Sequence, residues 1–137
     1  IDNSLAYSII EVAVSEIDIL GLHKCNIEGM RRAINALSIK PEYVLTDGYP
    51  IPGLTTPNLA VWKGDQVAIS ISAASILAKV YRDNIMVALD KKYPNYGLAS
   101  HKGYITASHT AAIKELGVLP IHRKSFANIA AIIEVSK

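Results

Sequence analysis

Hydrophobic residues along this chain fall into short continuous runs and into longer stretches with helical spacing. Residues 5–14 are rich in β-branched and aromatic side chains, which predicts a strand. From Ser15, a candidate N-cap, apolar positions recur every three, four or seven residues as far as residue 37, which predicts helix. Gly21 is expected to interrupt this helical stretch, and Pro41 is expected to end it.

Two further apolar runs, residues 43–46 and 58–62, have the length of strands that lie between helices in an α/β sheet. A long helix with several alanines is predicted over residues 71–92. A polar loop is expected over residues 99–105, because glycine and polar residues replace the helical pattern there. Strands therefore alternate with helices in the first two-thirds of the chain.

The remainder of the chain is predicted to be helical. Thr106 is expected to cap a helix that Gly117 ends, and Ser125 is expected to cap a last apolar helix. The whole pattern predicts a single α/β domain over residues 1–137. Its sheet should hold about three strands, and its helical C-terminal part should begin at about residue 106.

Length and composition describe a globular protein with an aliphatic core. The chain has 137 residues, of which half are apolar, and only one Phe and one Trp. Cys25 is the only cysteine, which fits a reducing compartment. The apolar stretches are too short to span a bilayer and no basic signal segment opens the chain, so we predict a cytoplasmic protein without a membrane partner. Because the chain lacks an initiator Met, we also expect it to be a piece of a longer protein.

The charges are distributed unevenly along the chain. Residues 1–90 carry seven bases and ten acids, a balance of −3, whereas residues 91–137 carry seven bases and two acids, a balance of +5. A basic segment beside an acidic one suggests a phosphate-binding surface next to a cation site. A solvated basic face is an equally common explanation.

Two acidic residues follow the two short predicted strands. Asp47 comes directly after residues 43–46, and Asp65 comes shortly after residues 58–62. Because ligand sites in α/β sheets collect at the carboxyl ends of strands, these carboxylates are expected to lie close together, where a cation would relieve their repulsion. Their hard oxygen atoms suit Mg²⁺ or Mn²⁺. On spacing alone, ordinary turn aspartates beside glycine explain the pattern equally well.

A second candidate site is the polar tetrapeptide of His101, Lys102, Gly103 and Tyr104. A base, a glycine that permits close backbone approach and an aromatic ring suit a loop that grips a sugar-phosphate backbone. A generic polar loop explains the same residues at least as well. A zinc-peptidase site is excluded, because His101 and His109 lack the i,i+4 spacing and the intervening glutamate of that motif.

Several stretches carry a more specific signal when they are taken together. They are SEID at 15–18, PEYVL at 41–45, DG at 47–48, KGD at 63–65, ISAASILAKVYRD at 71–83, YPNYGLASHKGYITASH at 93–109 and HRKSF at 122–126. In this order they closely resemble the type 2 ribonuclease H family, ribonuclease HII. The resemblance covers essentially the whole chain, and the blocks at 71–83 and 101–109 are highly specific.

The resemblance implies a ribonuclease H-like α/β fold, with a mixed sheet and flanking helices, incomplete at the N-terminus. It implies an endoribonuclease that hydrolyses the RNA strand of RNA/DNA hybrids and nicks duplex DNA at embedded ribonucleotides. The family's active site holds four carboxylates, of which Asp47 matches the third and Asp65 the fourth. Such a site binds two Mg²⁺ or Mn²⁺ ions for two-metal-ion phosphodiester hydrolysis.

The resemblance also implies which residues bind the nucleic acid. Lys63 is expected beside the metal site, where it can contact a phosphate, and Tyr104 matches the family's loop tyrosine that stacks on a sugar next to the ribonucleotide. The intact protein is expected to be a monomer. The other substrate-binding residues expected from the matched stretches are His101, Lys102, Gly103, Arg123 and Ser125.

One departure from the family pattern bears on activity. The family's first strand carries a DEVGRG-like segment that supplies the other two carboxylates, and no such segment occurs in this sequence. We therefore expect the chain by itself to lack its first strands and to be inactive. The alternative is a non-catalytic nucleic-acid-binding module that uses the basic C-terminal part. A phosphatase is a weak alternative, because its Asp-x-Asp nucleophile motif is absent around Asp47.

Overall fold

A computed structural model of the chain describes residues 4–135. The chain divides into two compact units, Ile1–Ile76 and Leu77–Lys137. The prediction of one domain over residues 1–137 stays a prediction. In chain order the elements are α1 (Val14–Leu20), α2 (Leu22–Asn35), β1 (Val44–Asp47), β2 (Asn58–Val61), α3 (Gly64–Val67), α4 (Ile69–Lys92), α5 (Leu98–His101), α6 (Ala107–Leu116) and α7 (Ala127–Val135).

The helix pair α1 and α2 breaks where the sequence predicts. Gly21 adopts a φ of 82°, a conformation that glycine tolerates, so this prediction is confirmed. α1 begins one residue before Ser15, and its first backbone hydrogen bonds go to the carbonyl of Ala13. Ser15 therefore lies inside the helix, and the prediction that it is the N-cap is wrong. α2 ends at Asn35, so Pro41 lies beyond the helix that it was expected to end.

Residues 5–13 form no strand, which contradicts the prediction for residues 5–14. The segment instead lies along α2: the hydroxyl of Ser8 donates to the carbonyl of Ala33, and Val12 lies against Gly29. A strand needs a neighbouring strand to receive its backbone hydrogen bonds. Within residues 4–135 the sheet contains β1 and β2 alone, rather than about three strands.

The two strands run parallel, and they match the predicted runs at 43–46 and 58–62 to within one residue. The register places Asp47, the last residue of β1, opposite Val61, the last residue of β2. Side chains alternate along β1, so Thr46 is buried while Asp47 is exposed. Both strands therefore end side by side, with an aspartate at the solvent-facing end of β1.

The long helix and the cap that follows it agree with the sequence, whereas the connection between them differs. α4 matches the helix predicted over residues 71–92 and begins two residues earlier. Residues 99–105 are not all loop, because α5 continues as far as His101. Thr106 caps α6 as predicted: its hydroxyl oxygen accepts a hydrogen bond from the amide of His109 at 3.1 Å.

The last helix of the second unit begins later than predicted. Gly117 ends α6 with a φ of 92°, which confirms that prediction. α7 begins at Ala127, and the carbonyl of Phe126 accepts from the amide of Ala130, so Ser125 is not the N-cap.

No helix within residues 4–135 has both the length and the hydrophobicity needed to cross a membrane. The buried apolar cluster of the second unit consists of Tyr96, Leu98, Ile113 and Ile129.

Candidate functional site

Asp47 is held in place by the segment that follows β2. Its Oδ1 accepts a hydrogen bond from the amide of Gly64 at 2.9 Å. The amide of Gly48 donates to the carbonyl of Val61 at 2.9 Å, which continues the pairing of the two strands past Asp47. One carboxylate oxygen is therefore fixed by the protein, while the residue as a whole stays exposed.

Gly64 is buried and lies in close contact with Ile71, which a side chain at residue 64 would displace. A Cβ built on Gly64 would lie 2.5 Å from Cδ1 of Ile71, a separation that real Cβ atoms essentially never show. Lys63 adopts a left-handed conformation, with φ 51° and ψ 46°, where the chain turns from β2 into α3. This turn and the close approach of Gly64 together bring the amide to Asp47.

Asp65 lies in the first turn of α3, directly after the residue whose amide binds Asp47. Both aspartates line one open depression of about 300 Å³. The structure thus brings together the two carboxylates that the sequence singled out, with Lys63 beside them. The other residues that line the depression are Asn26, Gly48, Tyr49 and Trp62.

These oxygen atoms fit a hard divalent cation that keeps part of its water shell. Asp47 retains Oδ2 for a ligand, and Asp65 adds a second carboxylate at the same depression. Mg²⁺ is commonly held by one or two protein carboxylates together with water and substrate phosphates. In the part of the chain that the structure describes, no group of three or more His, Cys, Asp or Glu side chains could enclose a metal ion. The described residues therefore suit an open cation site.

The tetrapeptide singled out in the sequence lies in the second unit, where His101 ends α5 and the other three residues lie between α5 and α6. Lys102 and Gly103 have positive φ values of 51° and 78°. A Cβ built on Gly103 would lie 3.2 Å from Nη2 of Arg82 and 3.3 Å from Sδ of Met86, so the loop backbone lies directly against α4. The side chain of Tyr104 remains in solvent, and the residue is 63% exposed. The loop presents an aromatic ring on a closely packed backbone.

His101 lies beneath this loop, and the residue is 9% exposed. Its Nδ1 accepts a hydrogen bond from the amide of Gly103 at 3.1 Å, and its Nε2 lies 2.8 Å from the carbonyl oxygen of Tyr96. Because Nδ1 is the acceptor, the neutral ring carries its proton on Nε2 and donates it to that carbonyl. Both ring nitrogens are used inside the protein, which favours a supporting role over direct contact with substrate.

The last two expected substrate-binding residues, Arg123 and Ser125, precede α7. The guanidinium of Arg123 lies 5.1 Å from the centroid of the Phe126 ring, a cation–π arrangement. Ser125 is exposed. Both lie in the second unit with Lys102 and Tyr104, whereas Lys63 lies in the first unit with the two aspartates.

Sequence reasoning gave no role to His109 and His122, yet both are buried and their Nε2 atoms lie 3.2 Å apart. Burial, and then the neighbouring imidazoles, lower the pKa of His122 to about 4. Burial likewise lowers the pKa of His109. The only sequence signal was the presence of three histidines between residues 101 and 122, close to the loop.

Comparisons with known proteins bear on this geometry. The family model for ribonuclease HII matches residues 2–129. The chain is 55% identical over 129 residues to ribonuclease HII of Salinispora arenicola, an alignment that covers 94% of this chain and 48% of that protein. It is 52% identical over 129 residues to ribonuclease HII of Mycobacterium ulcerans, covering 94% of this chain and 54% of that protein. The chain therefore spans about half the length of the curated relatives it matches.

The fold is similar to that of a solved ribonuclease H2. The crystal structure of ribonuclease H2 from Pyrococcus horikoshii OT3 matches with a TM-score of 0.78 at 26% sequence identity. The match covers 90% of this chain and 66% of that chain. The predicted ribonuclease H-like α/β fold class is confirmed. The sheet of residues 4–135 is parallel, rather than mixed as expected.

Proposed function

Since this chain belongs to the ribonuclease HII family, we propose that it is part of an endoribonuclease that hydrolyses the RNA strand of RNA/DNA hybrids. The proposal extends to nicking of duplex DNA at single embedded ribonucleotides, an activity of DNA repair. The observation that carries it is the hydrogen bond from the amide of Gly64 to Asp47, which orients one carboxylate next to Asp65. Paired carboxylates at a strand end are a suitable basis for metal-assisted phosphodiester hydrolysis.

Asp47 and Asp65 are the residues that would hold Mg²⁺ or Mn²⁺. Such an ion, when bound, supplies Lewis-acid stabilisation of the phosphate and lowers the pKa of a bound water. The protein's own contribution is positional: Gly64 holds Oδ1 of Asp47, and Oδ2 would be left to bind the ion. Lys63, exposed in the same depression, is placed to offset charge on a phosphate oxygen.

The second unit would supply contacts to the nucleic acid. Tyr104 is the proposed stacking residue, supported by its 63% exposure on a packed loop. Lys102 and Gly103 would contact the sugar-phosphate backbone, and Arg123 and Ser125 would add polar contacts. His101 would act from below the loop, because both of its ring nitrogens bond to backbone groups.

The chain alone is proposed to bind a cation without hydrolysing nucleic acid. A two-metal-ion site of this family uses four carboxylates, and the described residues contribute Asp47 and Asp65 to one depression. Two carboxylates leave most of the coordination of two ions to water.

The whole protein is proposed to be a cytoplasmic monomer. The buried, free thiol of Cys25 is compatible with a reducing compartment.

Titration of the chain with Mn²⁺, followed by paramagnetic broadening of backbone amide signals, tests the metal site. Signals of residues that line the depression should broaden first. Asp47→Asn and Asp65→Asn should each weaken Mn²⁺ binding by at least about tenfold. Asp90→Asn, a carboxylate on α4, is the matched control and should bind Mn²⁺ like the wild type. Broadening centred elsewhere, or unchanged in both site variants, would contradict the proposal.

The charge distribution favours a second candidate, a non-catalytic nucleic-acid-binding module. Residues 91–137 carry seven bases and two acids, and phosphate contacts make binding salt-sensitive. This candidate predicts duplex binding that persists in Asp47→Asn, with no cleavage by a family-length protein that contains this sequence. Mn²⁺-dependent cleavage by that longer protein, lost in Asp47→Asn, would favour the nuclease.

A further inference from the structure

Three histidines of the second unit, His101, His109 and His122, form a continuous group beneath the Tyr104 loop. The rings of His101 and His109 stack, with centroids 4.1 Å apart and planes at 19°. His109 and His122 meet through their Nε2 atoms at 3.2 Å. All three residues are at most 9% exposed. This histidine group lies in the interior, so backbone groups around it determine where each proton resides.

The proton positions follow from the two ends of the group. The amide of Leu119 donates to Nδ1 of His122 at 2.8 Å, so the neutral His122 ring carries its proton on Nε2. That proton is donated to Nε2 of His109, which must therefore be unprotonated. The remaining proton of His109 lies on Nδ1 and is donated to the carbonyl of Tyr104 at 3.0 Å. Every ring nitrogen along this path has one role.

His101 fixes the residue before Tyr104 in the same way. It accepts from the amide of Gly103 and donates to the carbonyl of Tyr96. The hydroxyl of Tyr96 donates to the carbonyl of Gly117 at 2.9 Å, which anchors this end to the C-terminus of α6. The histidine group thus binds one amide and one carbonyl of the loop, at consecutive residues.

Side chains of α4 also contact the loop. Nη2 of Arg82 lies 3.5 Å from the carbonyl oxygen of Lys102, and Met86 lies against Gly103. The amide of Tyr104 donates to the carbonyl of His101 at 2.9 Å. The backbone around Tyr104 is therefore held by contacts from the histidine group and from α4, while its side chain is exposed. An aromatic ring on a fixed backbone loses little freedom when it binds a ligand.

We propose that His109 and His122 are positioning residues, which hold the carbonyl of Tyr104 and thereby present its ring to nucleic acid. The inference rests on the proposed function for what the ring binds, but the positioning itself is a property of the free protein. His101 and Tyr96 are titratable side chains whose rings contact the pair. Neither needs to change its charge for the hydrogen-bonded path to form.

The first test observes the protons directly in the wild-type chain. Long-range ¹⁵N–¹H spectra at neutral pH should show His109 as the Nδ1–H tautomer, and His101 and His122 as the Nε2–H tautomer. An unconstrained imidazole in water favours the Nε2–H form, so the Nδ1–H form of His109 would show that its ring is constrained. An Nε2–H tautomer for His109, or a charged His109 at neutral pH, would overturn the inference.

The second test uses two amide replacements that each imitate one ring nitrogen. In His109→Asn the side-chain amide can take the place of Nδ1 and donate to the carbonyl of Tyr104. In His109→Gln the longer side chain puts its amide at the place of Nε2, and the hydrogen bond to the carbonyl of Tyr104 is lost. Backbone ¹⁵N order parameters of residues 102–105 should fall in His109→Gln and stay near the wild-type values in His109→Asn. Equal loop order in wild type and His109→Gln would overturn the inference.

The third test measures binding of a fluorescein-labelled RNA/DNA hybrid duplex. Tyr104→Ala should weaken binding about tenfold, and His109→Gln should weaken it to a similar extent. Combining both changes should weaken binding no further than Tyr104→Ala alone. If His109→Gln weakens binding equally when Tyr104 is absent, the inference is overturned.

The two proposals fail in different ways in these experiments. Wild-type binding by Tyr104→Ala would remove Tyr104 from the proposed function, and the order parameters of residues 102–105 would still decide whether His109 positions the loop. Conversely, an effect of Tyr104→Ala with unchanged loop order in His109→Gln would keep the binding role of Tyr104 and overturn the positioning role of His109.

Discussion

The amide of Gly64 and the carboxylate of Asp47 meet at 2.9 Å across a separation of seventeen residues. The hydrogen bond joins the end of β1 to the turn that follows β2. The same glycine lies close to Ile71: a Cβ at residue 64 would lie 2.5 Å from Cδ1 of Ile71, so a side chain there would have to displace Ile71 or the amide. Packing inside the unit and orientation of a candidate metal ligand are therefore coupled through one glycine.

Gly64→Ala is expected to lower both stability and Mn²⁺ affinity. The added methyl group must displace Ile71 or move the amide away from Asp47, so the free energy of unfolding should fall by about 1–3 kcal/mol. Urea unfolding and Mn²⁺ titration measure the two effects. In an Ile71→Val background, which removes Cδ1, part of the stability loss should disappear.

Gly29→Ala is the matched control for that substitution. A Cβ on Gly29 would lie 3.4 Å from Cγ2 of Val12, close to ordinary van der Waals contact. Alanine in a helix interior also favours the helix over glycine by up to about 1 kcal/mol. The stability of Gly29→Ala should match or exceed that of the wild type. If Gly64→Ala keeps the stability and the Mn²⁺ affinity of the wild type, the coupling is contradicted.

Lys63→Gly is expected to weaken duplex binding without weakening Mn²⁺ binding. Glycine tolerates the φ of 51° found at this residue, so the turn should persist while the charge is lost. The slope of log binding constant against log salt should fall by about one unit. Lys114→Gln, on α6, is the control for loss of a distant charge. A full wild-type salt slope in Lys63→Gly would remove Lys63 from the proposed phosphate contacts.

The stability of the chain should decrease on mild acidification because of His122. Burial lowers its pKa from 6.5 to about 4, so the unfolded state binds the proton more readily than the folded state between these values. The stability contributed by neutral His122 is complete above about pH 6.5 and is lost as the pH falls towards 4, on the order of 3 kcal/mol. The lowered pKa of His109 acts in the same direction.

His122→Asn separates this effect from other acid-sensitive groups. An asparagine can still accept from the amide of Leu119, but it does not titrate. The dependence of unfolding free energy on pH should therefore be shallower in His122→Asn between about pH 4 and 6.5. Identical pH profiles for variant and wild type, measured by urea unfolding, would show that His122 does not carry the effect.

Loss of the Thr106 cap is expected to destabilise α6. The hydroxyl oxygen of Thr106 accepts from the amide of His109, and removal of such a cap costs about 0.5–2 kcal/mol. Thr106→Ala should lower the midpoint of thermal unfolding, whereas Thr106→Ser, which keeps the hydroxyl, should restore most of it. A Thr106→Ala midpoint equal to that of Thr106→Ser would show that the cap is not stabilising.

Several elements could be predicted because their causes act within one turn of the chain. Gly21 and Gly117 end helices through a positive φ, and Thr106 reaches an amide three residues away. The same local reasoning failed at Ser15 and Ser125, where the helices begin one residue before the first and two residues after the second. A capping side chain is only a preference, and the packing of the following helix decides which turn is adopted.

Prediction was weakest where the partner is distant in sequence. Residues 5–14 have the composition of a strand, yet a strand exists only when another segment pairs with it, and residues 5–13 lie along α2 instead. The motif that contains Lys63, Gly64 and Asp65 was recognised in the sequence, but the role of Gly64 was not. The separation between a backbone amide and a side chain seventeen residues away is not encoded in any local pattern.

The sequence by itself determined the family, the two short strands and the candidate carboxylates Asp47 and Asp65, because motif order and strand-like apolar runs are properties of the chain. Only the tertiary structure decided that His101 lies under its loop, that His109 and His122 are joined to the carbonyl of Tyr104, and that Gly64 orients Asp47. These relationships depend on burial and on hydrogen bonds to particular backbone groups. Both arise only when segments distant along the chain are packed together.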